Sequence, residues 1–67
     1  MYKIEGENLK KVRERESLTQ EELGKRIGKN KVDVGHYENN RATPPANALI
    51  TFMIEFDVNP KDIAVKA

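Results

Sequence analysis

Sixty-seven residues make one domain, residues 1–67, near the lower size limit for a chain that folds without staples. With no cysteine, disulfides and thiolate metal sites are excluded, a single histidine argues against a zinc site, and no cofactor is expected. A net charge of +1 alone makes no case for a polyanionic partner, and no apolar run approaches the roughly 20 residues of a membrane span, so a cytoplasmic protein is expected.

The first helix is predicted from about Gly6 to Glu16, with Leu9, Val12 and Ile4 facing inward and Lys10, Lys11, Glu14 and Arg15 outward. The preceding segment lacks the apolar core of a signal peptide. Thr19 followed three residues later by Glu22 reads as a capping box that opens a second helix, Gln20 to Ile27, with Leu23, Gly24 and Ile27 on its inner face. Gly28 stops it. Asn30 caps a third helix, Lys31 to Asn39, whose apolar stripe is Val34 and Tyr37. Paired asparagines and two consecutive prolines make 39–45 a loop. A fourth helix runs from about Ala46 to Phe56, and Asn59-Pro60-Lys61-Asp62 opens a short fifth with a cap, a proline at the first position and an acid at the third. No strand is expected. The fold class is therefore all-α, with a core of Leu9, Val12, Leu18, Leu23, Ile27, Val34, Tyr37, Leu49, Phe52, Met53, Phe56, Val58 and Ile63. Each such side chain contributes about 1.5–3 kcal/mol when buried, so the stability margin is modest.

Thr19 to Tyr37 is the most informative stretch. Two short helices meet at a tight turn with a glycine at the corner, and Gly24 falls where one helix presses closest on the other. The spacing of Gln20, Leu23, Gly24, Gly28, Val34 and Tyr37 is that of a DNA-binding helix-turn-helix. From Lys25 to Arg41 there are five basic residues against two acids, while the segment after Arg41 is slightly acidic.

On these residues the chain resembles the lambda repressor-like (Cro/repressor type, or Xre) helix-turn-helix domains. The matching pieces are Leu9-x-x-Val12-Arg13, Leu18 through Gly24, Ile27-Gly28, Val34-x-x-Tyr37-Glu38-Asn39, Pro44, and Phe56-x-Val58-Asn59-Pro60-x-Asp62-Ile63. The resemblance implies a compact five-helix domain with helix 3 in the major groove and helix 2 across the phosphate backbone. It also implies a structural ion pair between Arg13 and Glu38.

The resemblance further assigns Gln20 to a phosphate, where its amide and the free N–H groups of a helix start both donate to an anion. Lys29, Asn30 and Lys31 begin the recognition helix: Lys31 is a base or phosphate contact, Asn30 a cap first and a phosphate contact second. Val32, aliphatic at a position that is usually polar, is either a partner for a thymine methyl or a scattered surface residue. His36, one turn further along that face, matches a base-reading position, and no nucleophile or second acid stands ready to use it in catalysis. Asn39, Asn40 and Arg41 offer backbone N–H groups and a cation to phosphates, with Asn40 in place of a more usual glycine. Two residues depart from the pattern: Gly35 weakens the recognition helix by about 1 kcal/mol relative to alanine, and Asp33 carries negative charge toward phosphates.

Helix 4 is apolar nearly all round. Ile50 and Ile54 lie one turn apart and form a candidate dimer interface. The expected function is a sequence-specific transcriptional regulator, a small homodimeric repressor of phage or mobile-element type that binds double-stranded DNA at an inverted repeat and occludes a promoter. Sixty-seven residues leave no room for a ligand-sensing domain, and no small-molecule ligand or enzymatic machinery is evident. The alternative is a protein-interaction module on the same scaffold, which Gly35, Asp33 and the small net charge favour.

Overall fold

The computed structural model describes all 67 residues, and it begins and ends with a feature the helix periodicities do not contain. Strand β1, Tyr2–Ile4, pairs antiparallel with β2, Ala64–Lys66, in the register Tyr2↔Lys66, Lys3↔Val65 and Ile4↔Ala64. The expectation of no strands is therefore corrected. Three residues are too few to display a period-two pattern, and the partner lies at the other end of the chain, so the pairing is visible only once the helices have brought the termini together. Bonds from Glu5 N–H to the Ile63 carbonyl (2.9 Å) and from Ala67 N–H to the Met1 carbonyl (2.9 Å) extend the ribbon.

Between the strands lie five helices: α1, Gly6–Arg15; α2, Gln20–Ile27; α3, Lys31–Glu38; α4, Ala46–Phe56; and α5, Pro60–Ile63. The starts follow the sequence punctuation. Thr19 and Glu22 form the capping box of α2, with bonds of 3.1 and 2.8 Å, and Asn30 Oδ1 accepts from Asp33 N–H at 2.8 Å to cap α3. At α5 the Asp62 carboxylate accepts from Asn59 N–H at 2.8 Å.

The stops share one device. Helices α1 to α4 end in left-handed residues Ser17 (φ 58°), Gly28 (φ 73°), Asn40 (φ 61°) and Asp57 (φ 52°), only one of them glycine. In each case the next N–H reaches back five residues: Leu18 to Arg13, Lys29 to Gly24, Arg41 to His36, and Val58 to Met53, at 2.7 to 3.1 Å. This is Schellman geometry, which satisfies carbonyls that would otherwise be orphaned. Leu18 and Val58 carry the chain back into the core. Lys29 and Arg41 instead leave a cation at either end of α3.

The core comprises Leu9, Val12, Leu23, Ile27, Val34, Tyr37, Ala48, Phe52, Phe56, Val58 and Ile63, with Ile4, Leu18, Leu49 and Met53 packed half-buried against it. Leu18, Leu49 and Met53 are thus rim rather than centre, and Ala48, too small to stand out in a hydrophobicity pattern, is fully buried. Phe52 and Phe56 meet edge to face with centroids 5.1 Å apart, and Arg15 caps the end of α4 by donating from Nη2 to the Phe56 carbonyl at 3.0 Å.

Two glycines have opposite reasons to be present. A Cβ on Gly6 would collide with the backbone carbonyls of Tyr37 and Glu38, so the start of α1 lies directly against the end of α3. A Cβ on Gly35 would meet only the Gln20 amide, at 3.8 Å, an ordinary van der Waals distance. Gly6→Ala is therefore expected to destabilise the fold by about 1–3 kcal/mol through overpacking, whereas Gly35→Ala is expected to stabilise it by about 1 kcal/mol through helix propensity. Urea denaturation of both variants checks the opposite signs.

Candidate nucleic-acid interface

Helix α3 is positioned through one carboxylate. Glu38, in the last turn of α3, has a side chain only 3% exposed. Arg13 of α1 grips it through two bonds, Nε to Oε2 at 2.6 Å and Nη2 to Oε1 at 3.1 Å, and Gln20 of α2 donates Nε2 to Oε1 at 3.1 Å. The remaining arginine nitrogen, Nη1, donates to the Leu18 carbonyl at 2.8 Å. Side chains or backbone from α1, the α1–α2 turn, α2 and α3 therefore converge on a single guanidinium–carboxylate pair, and no buried side-chain polar atom is left without a partner. The bond to Glu38 holds the Arg13 guanidinium above its ordinary pKa, so this cation stays charged at any pH the fold survives.

Gln20 is therefore drawn inward. Its amide lies over Gly35, 3.8 Å from where a Cβ would stand, an ordinary van der Waals distance. One Nε2 hydrogen is spent on Glu38; the second hydrogen, the carbonyl oxygen and the N–H groups at the start of α2 are what remain for an anion.

The exposed end of α3 carries the other candidates. Lys31 and Val32 occupy its first two positions in full solvent, Val32 with 58% of its surface exposed and no neighbour to bury it. Lys29 and His36 are half-buried and Arg41 is exposed; none of Lys29, Lys31 and Arg41 takes part in any of the three ion pairs of the chain. Asn30 serves as the cap. Asn39 ends the helix, its N–H on the Gly35 carbonyl at 3.1 Å. Asp33 lies in the first turn of α3, where negative charge suits the helix dipole, and its charge joins burial in pushing the Tyr37 phenol up.

Asn40 differs most from expectation. Its side chain is committed internally: Oδ1 accepts from Gly6 N–H at 2.8 Å, satisfying the first turn of α1, and Nδ2 donates to Glu5 at 2.7 Å. It latches the loop after α3 to the start of α1, next to Gly6. The sequence offered one signal for this, a non-glycine residue at a helix stop, but its partner lies more than thirty positions away. Gly24 is close-packed against the Lys29 carbonyl, in the turn between the helices rather than against the body of α3. On α4, Ile50 and Ile54 are 52% and 75% exposed. No cluster of metal-ligating side chains exists, and no helix is long and apolar enough to cross a membrane.

The family described as Helix-turn-helix domain matches residues 6–67. Among solved structures, the P22 c2 repressor protein in complex with synthetic operator 9T has the same fold, with a TM-score of 0.79 over 88% of this chain and 89% of that chain, at 22% identity. No curated protein sequence matches the chain.

Two expectations follow. Arg13→Ala strands the buried Glu38 carboxylate with Gln20 as its one remaining partner and should cost about 3–5 kcal/mol. Replacing both Arg13 and Glu38 with methionine should cost far less, and a double-mutant cycle by urea denaturation measures the difference. Glu5 is held below the ordinary carboxylate range chiefly by the Asn40 amide, and Glu22 chiefly by Thr19 N–H. A depressed folded-state value means that the unfolded chain binds protons first, so these contributions are intact above about pH 4.3 and lost as pH falls through the folded-state values. The urea midpoint should decline over that window, and a Glu5→Gln, Glu22→Gln double variant should decline less steeply.

Proposed function

Because the chain belongs to the helix-turn-helix domain family, we propose that it is a sequence-specific DNA-binding transcriptional regulator. The observation that carries this reading is the first turn of α3: Lys31 and Val32 stand in solvent at its start, beside unpaired Lys29. A fold shared with a repressor solved on its operator supports it. The start of α3 enters the major groove, with Lys31 donating to guanine or phosphate, Val32 against a thymine methyl, and His36 reaching a base edge one turn on. Gln20, Asn30 and the backbone of Asn39 and Asn40 face phosphates, and Arg41 supplies a cation there. Asn40 acts through its backbone, since its side chain is engaged with Gly6 and Glu5.

The same reading makes the protein a homodimer in the cytoplasm, joined through Ile50 and Ile54 of α4, that binds an inverted repeat with half-sites about 34 Å apart and represses by occluding a promoter. The exposure of Ile50 and Ile54 favours one second reading, in which α4 docks on a different protein and DNA binding is weak.

Selection from random duplex DNA at moderate salt separates these. The wild type should enrich an inverted repeat, and a Lys31→Ala, His36→Ala variant should fail to recover it. Affinity for the enriched site should fall steeply with salt, by a log–log slope of about 0.9 per neutralised phosphate. No enrichment, with weak retention abolished by salt, would sink the operator-binding reading in favour of a protein partner at α4.

A further inference from the structure

The terminal ribbon brings a cation to the loop that follows α3. Between β1 and that loop lies a cleft of about 130 Å³ lined by Lys3, Ile4, Tyr37, Asn40, Ala42 and Thr43. A single water needs about 10–15 Å³ of such space, so there is room for a tetrahedral anion. Its lining residues include several uncommitted donors. Lys3 takes part in no ion pair. The Thr43 N–H makes no backbone hydrogen bond within the chain. Asn40 Nδ2 spends one hydrogen on Glu5 and has a second free. The nearby acid is Glu5, whose carboxylate is already occupied by Asn40 Nδ2 and by Glu7 N–H at 3.3 Å.

We propose that this cleft receives a phosphate of the DNA backbone, with Lys3 as its cation. The assignment rests on the DNA-binding reading above and extends the interface beyond the two helices, onto a strand at the start of the chain. Its position suits that role. The cleft shares Asn40 and Ala42 with the loop that presents Arg41, and the Asn40 side chain fixes that loop against the first residue of α1. One phosphate held by Lys3 and Thr43, beside another held by Arg41, would let the ribbon report where the recognition helix sits along the groove. Such contacts set register and carry no base information.

The test is a salt titration of duplex binding, on the enriched site, for the wild type, Lys3→Gln and Lys66→Gln. Lys66 pairs with Tyr2 across the ribbon and is not part of the cleft, so its variant makes the same change in net charge without touching the site. Lys3→Gln should reduce the log–log slope by about 0.9 and weaken binding roughly five- to tenfold near 0.1 M salt, equally for cognate and unrelated sequences. Lys66→Gln should leave the slope unchanged. A steep wild-type slope that Lys3→Gln does not alter overturns the cleft assignment alone, as do equal losses for the two variants. A shallow wild-type slope removes the DNA reading and the cleft with it. A site for free phosphate would shift the Thr43 amide resonance on addition of inorganic phosphate while Lys3→Gln kept the wild-type duplex slope, and that result also overturns the assignment.

Discussion

Everything that presents α3 to solvent depends on the burial of the Glu38 carboxylate. Taking one carboxylate out of water costs several kcal/mol, and the structure offsets this with a bidentate guanidinium and an amide. Such a pair contributes little net stability compared with apolar side chains of the same volume. What it supplies is geometry. Each of its donors comes from a different part of the chain, and each bond is satisfied only when α1, α2 and α3 hold one mutual arrangement. The same end of α3 is pressed against α1 through Gly6 and tied to it again through Asn40. Three constraints of different kinds (an ion pair, a close backbone approach and a side-chain cap) thus fix one end of α3, and its other end is free to face outward.

That fixing is needed because α3 has little stability of its own. Eight residues with a glycine among them fall well below the roughly 12–15 that a helix needs to persist alone in water. Only Val34, Tyr37 and Glu38 are buried along it. Its order comes from the Asn30 cap at one end, the Asn40 stop at the other, and the neighbours that hold Glu38. Gly35 costs helix propensity, and the Gln20 amide that helps to hold Glu38 packs over it at a distance that a Cβ would also permit, 3.8 Å.

The difference between what the sequence disclosed and what it hid follows the range of the interactions. Capping boxes, the glycine stop, the proline at the start of α5 and the helix periods are local, and the helix bounds read from them match the structure to within a residue. The lambda repressor-like architecture was legible for the same reason, since its motifs are mostly local punctuation at fixed distances. The hidden features join distant positions. Tyr2 meets Lys66 and Asn40 meets Gly6, and nothing in the neighbourhood of either residue encodes its partner. Gln20 was legible as a residue at a helix start, but not as one turned toward a buried acid. The exposed face of the candidate interface was readable from periodicity, whereas the commitment of the Asn40 side chain and the approach of Lys3 to the same loop required the fold.

The net charge of +1 conceals a division of labour between the signs. Of the acids, Glu38 is buried against Arg13, Glu22 and Asp62 serve helix starts, Glu5 is shared between Asn40 and Glu7 N–H, and Glu16 and Glu55 face Arg15 and Arg26 at 3.1 and 3.8 Å. Among the cations, Lys3, Lys29, Lys31 and Arg41 are in no such pair. Four of the eleven acids (Glu5, Glu22, Glu38 and Asp62) are therefore spent on caps and the buried pair, and two more sit in exposed pairs, while positive charge around α3 and its flanking turns is left for solvent or a partner. A formal sum treats the two as equivalent. The field a ligand meets depends on which charges are already neutralised at close range, and around α3 the unneutralised ones are mostly positive. A small domain with almost no net charge can thus present a local basic surface, because its acids do structural work.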